Sequence, residues 1–388
     1  MNVPSVKGRG LGCALVTLAV SIFAPPSFAG DPPAVLPPLK TVSVIASTVP
    51  GNGDVNPYGM AQVKHTTGNL RAGHILISNF NNSANLQGTG TTIVDVAPDG
   101  SVGLFAQLNA SELPGGCPGG VGLTTALVVL EQGWVIVGSL PTTDGTSATA
   151  QAGCLIVLDS MGNAVETFFG SLVNGPWDMT ALDGEHTAAL FVTNVLNGTV
   201  AANGQVVHGG TVTRLDLKVS ASAMPVLESI TVIGSGFAER TDPAALVIGP
   251  TGVALSAHCD HDGDCEEHRD AGDATVLYVA DTLNNRITVI DHPLRRTSSD
   301  GTGRTLSSGG TLNAPLGLIT TAGGDLLTVN GDDGNIIEIS PGGEQRAHLL
   351  IDNTGSPPGN GTLFGLVYDP AHGVYFVDDG SNTLNLLH

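Results

Sequence analysis

A degenerate unit recurs six times along the chain, and units of this size are stable only when each packs against its neighbours. Each unit opens on a short motif ahead of an apolar segment: Asn56-Pro57-Tyr58-Gly59, Gly119-Gly120-Val121-Gly122, Gly175-Pro176-Trp177-Asp178, Gly249-Pro250-Thr251-Gly252, Ala314-Pro315-Leu316-Gly317 and Leu363-Phe364-Gly365. Four of the six hold Pro, whose fixed φ suits a turn and whose missing N–H suits the start of a strand. A second apolar run follows each motif, at 75–79, 134–138, 190–194, 277–281, 326–330 and 375–378. These runs are short, rich in β-branched and aromatic residues and bounded by turn formers, which predicts strands. Third strands are expected at 91–96, 154–159, 211–217, 286–291, 335–339 and 383–387, and weaker fourth strands at 101–107, 165–169, 228–233 and 347–351.

A four-stranded antiparallel unit of about 40 to 50 residues repeated around an axis is a β-propeller blade. The pattern therefore predicts an all-β, six-bladed β-propeller over residues 39–388, with unequal loop insertions. Seven blades is the alternative count. The sixth unit stops at its third strand, while residues 41–46 form a strand ahead of the first motif. The N-terminal strand is expected to complete the last blade, which removes two open sheet edges. Residues 30–38 read as a linker.

Composition agrees with this architecture. Gly takes 53 of 388 positions and only 13% of residues are charged, against about 7% and about a quarter in ordinary soluble domains. Acidic residues number 35 against 14 Lys and Arg, giving a net charge of -21, which argues against a nucleic-acid or anionic-membrane partner.

The first 29 residues carry Lys7 and Arg9, an apolar run over 11–24 and then Ser27-Phe28-Ala29, the pattern of a secretory signal peptide. A periplasmic or secreted location is expected. No later apolar run reaches the roughly 18 to 20 residues of a membrane span. Four cysteines follow, Cys117, Cys154, Cys259 and Cys265, and an even number in an exported chain predicts disulfides. Cys259 and Cys265 lie in one polar loop and form the local pair, which leaves Cys117 with Cys154. Metal-binding thiolates are the rival reading.

The run from Leu277 through Tyr278-Val279-Ala280-Asp281-Thr282-Leu283-Asn284-Asn285-Arg286 to Ile287, with Gly249-Pro250-Thr251-Gly252-Val253 upstream, resembles an NHL repeat. The family pattern is Pro-x-Gly, a strand ending in Val-Ala-Asp, then Asn-x-Arg and an apolar strand. The likeness weakens in the fifth and sixth units and is faint in the first three. It implies a six-bladed NHL-like or SMP-30-like propeller. Propellers of this kind include lactonases, lyases and non-catalytic binding modules, so the resemblance leaves the activity open.

Strand direction alternates within a blade, so opening motifs and second-strand ends share a face. Asn79, Asn194, Asp281, Asn330 and Asp378 are expected to ring one mouth of the channel or to lie just outside it. Oxygens converging there could hold Ca²⁺, and the resemblance to SMP-30-like lactonases, which use such a set, implies the same. The competing reading is that Asn and Asp after a strand bond their own turns. Asp178 stands where the other five motifs have Gly, with Trp177 beside it. Together with Tyr58 they are candidate ligand-binding residues, against a structural role in turn closure and blade packing.

The densest polar cluster runs from His258 to Asp270. Asp260, Asp262 and Asp264 have the alternate spacing of a calcium loop, but Cys265 replaces the Gly and Ala271 the Glu that an EF-hand needs. Looser Ca²⁺ binding, a transition metal through His258, His261 and His268, or a disulfide-stapled solvated loop remain open. This loop should protrude from the opposite face. No Gly-x-Ser-x-Gly elbow, His-Glu-x-x-His motif or Walker loop occurs. Two functions fit: an exported, monomeric propeller binding a small molecule, glycan or protein, or a metal-dependent, lactonase-like hydrolase or lyase using the Asn/Asp ring.

Overall fold

The computed structural model describes residues 1–4, 33–242, 245–256 and 275–388. Most of the expected signal segment, the loop with Asp260, Asp262 and Asp264, and the Cys259–Cys265 pair lie outside the described residues. Residues 1–4 carry no regular secondary structure. Among the described residues no helix is long and apolar enough to cross a membrane.

Residues 34–388 form six antiparallel sheets around an axis. After β1 (Val42–Ser47), blade 1 is β2 (Val55–Gln62), β3 (Ile75–Asn81), β4 (Thr92–Val96) and β5 (Val102–Gln107). Blade 2 is β6 (Leu123–Val129), β7 (Val135–Ser139), β8 (Cys154–Leu158) and β9 (Ala164–Phe168). Blade 3 is β10 (Pro176–Asp183), β11 (Thr187–Asn194), β12 (Val207–Ser220) and β13 (Ala223–Asp242), extended by β14 (Leu246–Ile248). Blade 4 is β15 (Pro250–Leu255), β16 (Val276–Asp281), β17 (Arg286–Asp291) and β18 (Arg304–Ser308). Blade 5 is β19 (Pro315–Thr320), β20 (Leu326–Asn330), β21 (Asn335–Ile339) and β22 (Gln345–Leu350). Blade 6 is β23 (Leu363–Asp369), β24 (Gly373–Asp378) and β25 (Thr383–Leu387), with β1 as its outer strand.

The first strand of each blade is innermost, and neighbouring innermost strands touch all the way round, β23 against β2 included. Second strands lie between two packed faces, so β3, β7 and β20 are buried along their whole length and each opens on consecutive apolar residues. Outer strands meet solvent on one side, as the exposed Val102 and Leu104 of β5 show.

β1 closes the ring by pairing with β25 from Val42↔Leu387 to Ser47↔Thr383. Lys40 and Thr41 donate backbone bonds to His388 O, and His388 N returns one to Thr41 O, each 2.9 Å. The end of the segment read as a linker is docked as well. Leu36 is fully buried, and the Val35 and Leu36 amides donate to the Glu338 carboxylate, the latter at 2.9 Å. Burial pushes the Glu338 carboxyl up. Cys117 and Cys154 form a disulfide that ties the loop before β6 to β8.

The opening motifs differ from their reading as turns. Their Pro or Leu is already paired with the second strand, as in Pro57↔Asn79 and Pro315↔Asn330, and the register then slips. Five of the six motifs are thus the bulged start of an innermost strand, while the blade 2 motif, 119–122, ends just before β6. Gly317 shows why Gly is needed: a Cβ there would collide with Phe364 O of the next blade. The glycines let six innermost strands approach the axis closely.

Candidate functional site

We call the face where innermost strands begin the top and the face where they end the bottom. At the bulge, four blades place Gly59, Gly252, Gly317 and Gly365. Blade 3 places Asp178 there. Blade 2 places Thr125 there rather than Gly122, because Ser78 Oγ donates to Thr124 O as Thr193 Oγ donates to Thr251 O, one residue before Gly252. Asp178 is therefore one of two departures from Gly, and the two stand in adjacent blades.

Above this level the channel is plugged. Tyr58 stacks on Phe80 at 4.7 Å and on Phe364 at 3.8 Å, and Trp177 lies 6.3 Å from Phe364. Leu246 and Val247 of β14 complete the lining, leaving a void of about 20 Å³. Tyr58 and Trp177 are 5% and 7% exposed, so the structure places both candidate ligand contacts inside this plug. Burial and the Asp379 charge push the Tyr58 hydroxyl well up. Asp379 is itself pushed up to about 8, by burial first and then by Asp378 and Asp352.

The five Asn/Asp positions stand on second strands, one layer out from the axis, and serve their own blades. Asn79 Nδ2 donates to Thr48 O (3.1 Å) and Thr92 Oγ (3.2 Å). Asn194 Oδ1 accepts from Asn174 N at 2.9 Å. Asp281 is held by Arg286 Nε at 2.7 Å and by Asn284. Asn330 accepts from Asn313 N and donates to Thr311 O, and Asp378 accepts from Ser381 N. At the top mouth the axis is faced by the rings of Tyr58, Trp177 and Phe364 instead, and of these three only Tyr58 carries an oxygen. Among the described residues no group of three or more His, Cys, Asp or Glu could hold a metal. The residues present do not fit a Ca²⁺ ion there.

Below the plug the channel opens into a cavity of about 490 Å³ walled by the second halves of the six innermost strands. Apolar side chains such as Met60, Leu127, Met179, Val253, Leu318 and Leu366 line it together with Thr180 and Thr320. Polar residues collect at the strand ends, among them Gln62, Lys64, His65, Glu131 and Asp183. Ser256 and Thr275, on either side of residues 257–274, also reach this rim.

Asp178 and Thr125 line the inner end of the cavity. Asp178 Oδ1 accepts from Met179 N at 2.8 Å and Oδ2 from Val253 N of the next blade at 3.1 Å. Its own amide donates to Thr193 Oγ at 3.0 Å. Burial pushes the carboxyl up to about 7 against the pull of the two amides. Thr125 is 5% exposed, and its hydroxyl has no hydrogen-bond partner among the described residues. Thr125 lines both this cavity and the void of the plug, and its hydroxyl is available to a further partner.

Sequence reasoning singled out Asp178, which lines this cavity, and did not single out Thr125 or the cavity. It attended to the top ends of the strands, whereas the open chamber is formed by residues two to five positions further on.

No protein-family model and no curated protein sequence matches the chain. Solved structures share its fold. A gluconolactonase from Xanthomonas campestris superposes with a TM-score of 0.52 at 16% identity, covering 91% of this chain and 90% of that one. Regucalcin from Agrobacterium tumefaciens, a calcium-binding protein, gives 0.50 at 13%, over 88% and 92%. A luciferin-regenerating enzyme gives 0.51 at 11%, over 89% and 94%. The chain is thus a six-bladed propeller of the SMP-30, gluconolactonase and regucalcin type in fold.

Proposed function

We propose that the lower channel is a small-molecule site entered from the bottom face, with Asp178 as its buried polar anchor. The observation that carries this is a chamber of about 490 Å³ with apolar side chains in its walls and a carboxyl at its inner end. An apolar pocket with a few converging polar groups, one of them a perturbed acid, is the usual form of a ligand site. The test is a thermal-shift screen of small amphipathic molecules on the wild-type chain and on a Leu255→Trp chain, whose indole would fill the chamber from its wall. Stabilisation of the first and not the second supports the site; equal shifts in both refute it.

A catalytic reading uses the same residues. A carboxyl that changes charge near neutral pH can take a proton from water or give one to a leaving group, which would make the chain a hydrolase or lyase. Sharing a fold with a gluconolactonase is compatible with that reading. Turnover of a lactone or ester panel at about pH 8 that is lost in Asp178→Asn, while the variant remains folded, would support it; turnover unchanged in the variant would refute the role of Asp178. We also propose that the chain is exported, supported by the signal-like pattern over 1–29.

A further inference from the structure

The inner end of the cavity is asymmetric in charge. Asp178 supplies a carboxylate, Thr125 beside it in the ring supplies an unpartnered hydroxyl, and the other four ring positions are Gly. Among the described residues, the other titratable groups that share the cavity are Lys64, His65, Glu131, Asp183 and Tyr368, and all stand at its outer end. Asp178 lies five residues up β10 from Asp183, a depth of about 15 Å at strand rise. Burial and two backbone amides are what act on the Asp178 carboxyl, with no neighbouring charge contributing. Among the described residues the chamber therefore ends in an acid without a counter-ion, in a chain of net charge -21 that repels anions.

Resting on the reading of the lower channel as a ligand site, we infer that its ligand carries a protonated amine at one end of an apolar body. The ammonium sits against the Asp178 carboxylate and donates a further hydrogen bond to Thr125 Oγ. An ammonium has three donors and no acceptor, which matches a carboxylate and a hydroxyl that both have acceptor capacity left. An alcohol would form the hydrogen bonds but leave the buried charge uncompensated. A carboxylate head would add a second negative charge at the same place.

The test uses three probes with one body: 2-phenylethylammonium, 2-phenylethanol and 3-phenylpropionate, titrated calorimetrically into the full-length chain at about pH 8 and about pH 6. The ammonium is expected to bind about tenfold or more tighter than the alcohol at the higher pH. Its affinity should fall about tenfold at the lower pH, because a group titrating near 7 goes from mostly ionised to mostly neutral while the amine stays charged. The alcohol should change less than about twofold. Asp178→Asn should abolish the pH dependence, and Thr125→Val should weaken the ammonium about fivefold while leaving its pH dependence intact. Alcohol or carboxylate binding as tightly as the amine overturns the inference and leaves the ligand site standing. Failure of all three probes on the folded chain removes the site reading and the inference with it. Ammonium binding that neither substitution alters places the probe elsewhere and also overturns it.

Discussion

The placement of Asp178 has a measurable consequence that needs no ligand. Its carboxyl moves from 3.8 to about 7 on folding, so the native state keeps the proton over a window where the unfolded chain has lost it. The stabilisation of this neutral form is complete below about pH 4 and is lost as pH rises through about 7. A shift of about 3 units at about 1.36 kcal/mol each amounts to about 4 kcal/mol over the full window, of which about 3 kcal/mol falls between about pH 5 and about pH 8. Asp178→Asn removes the titration. The amide keeps one acceptor oxygen where the carboxyl serves both Met179 N and Val253 N, so at about pH 5 the variant should be less stable by about 1 to 3 kcal/mol. Towards about pH 8 the wild type should lose about 3 kcal/mol more than the variant, and the two curves should converge or cross. Urea unfolding at several pH values measures this. Glu239, pushed up to about 7 by burial, and Asp379, at about 8, titrate in the same range, but they act on both chains and cancel in the difference. Parallel stability curves would refute the burial argument for Asp178.

Three further outcomes test the architecture. Gly317→Ala drives a Cβ into Phe364 O, whereas Gly342→Ala meets nothing nearer than Ser340 Oγ at 3.6 Å; thermal unfolding should show a loss of about 1 to 3 kcal/mol for the first and under about 0.5 kcal/mol for the second. Deleting residues 39–48 removes β1 and opens blade 6 along β25, so the melting temperature should fall by more than about 10 °C, and an unchanged melting curve would sink the closure. Replacing Cys117 and Cys154 together by Ser frees a loop with a sequence separation of 37, and chemical denaturation should register a loss of up to about 4 kcal/mol.

How far the sequence discloses the fold depends on whether a feature is local. β17, β20, β21 and β25 begin and end where β-branched runs meet turn formers, and they match the expected bounds residue for residue. β12 and β13 run far past the expected 211–217 and 228–233 because the two arms continue to pair with each other from Val207↔Glu239 to Ser220↔Ala223. Gly209, Gly210 and Pro225 look like strand ends in one dimension, yet the hairpin absorbs them through register shifts. The opening motifs mislead for a related reason. Pro and Gly are turn formers, but here Pro starts a strand and Gly answers the close approach of a neighbouring blade, which is a property of the closed ring. The site is less visible still. Asp178 stood out by breaking a pattern, while Thr125 was hidden by one extra residue in the blade 2 bulge, where Leu123↔Ser139 is followed by Leu127↔Val137.

The two ends of the channel owe their difference to a single step along each innermost strand. One residue above the ring stand Tyr58, Thr124, Trp177, Thr251, Leu316 and Phe364. Thr251 Oγ is engaged with Thr282 Oγ at 2.7 Å, and Thr124 Oγ accepts from Ala126 N at 3.3 Å, so this level presents rings and satisfied hydroxyls. The oxygens of Asn79, Asn194, Asp281, Asn330 and Asp378 stand behind it and shape turns. Among the described residues, at the inner end of the channel only blades 2 and 3 supply side chains at the ring, and only Asp178 supplies a charge. A polar floor confined to two adjacent blades is directional: it draws a head group to one side of the axis, while the glycines opposite hold the neighbouring backbones too close to admit any side chain. Moving the acid from Asp178 to Gly317 would therefore not relocate the site, since the backbone that closes the ring already occupies that space.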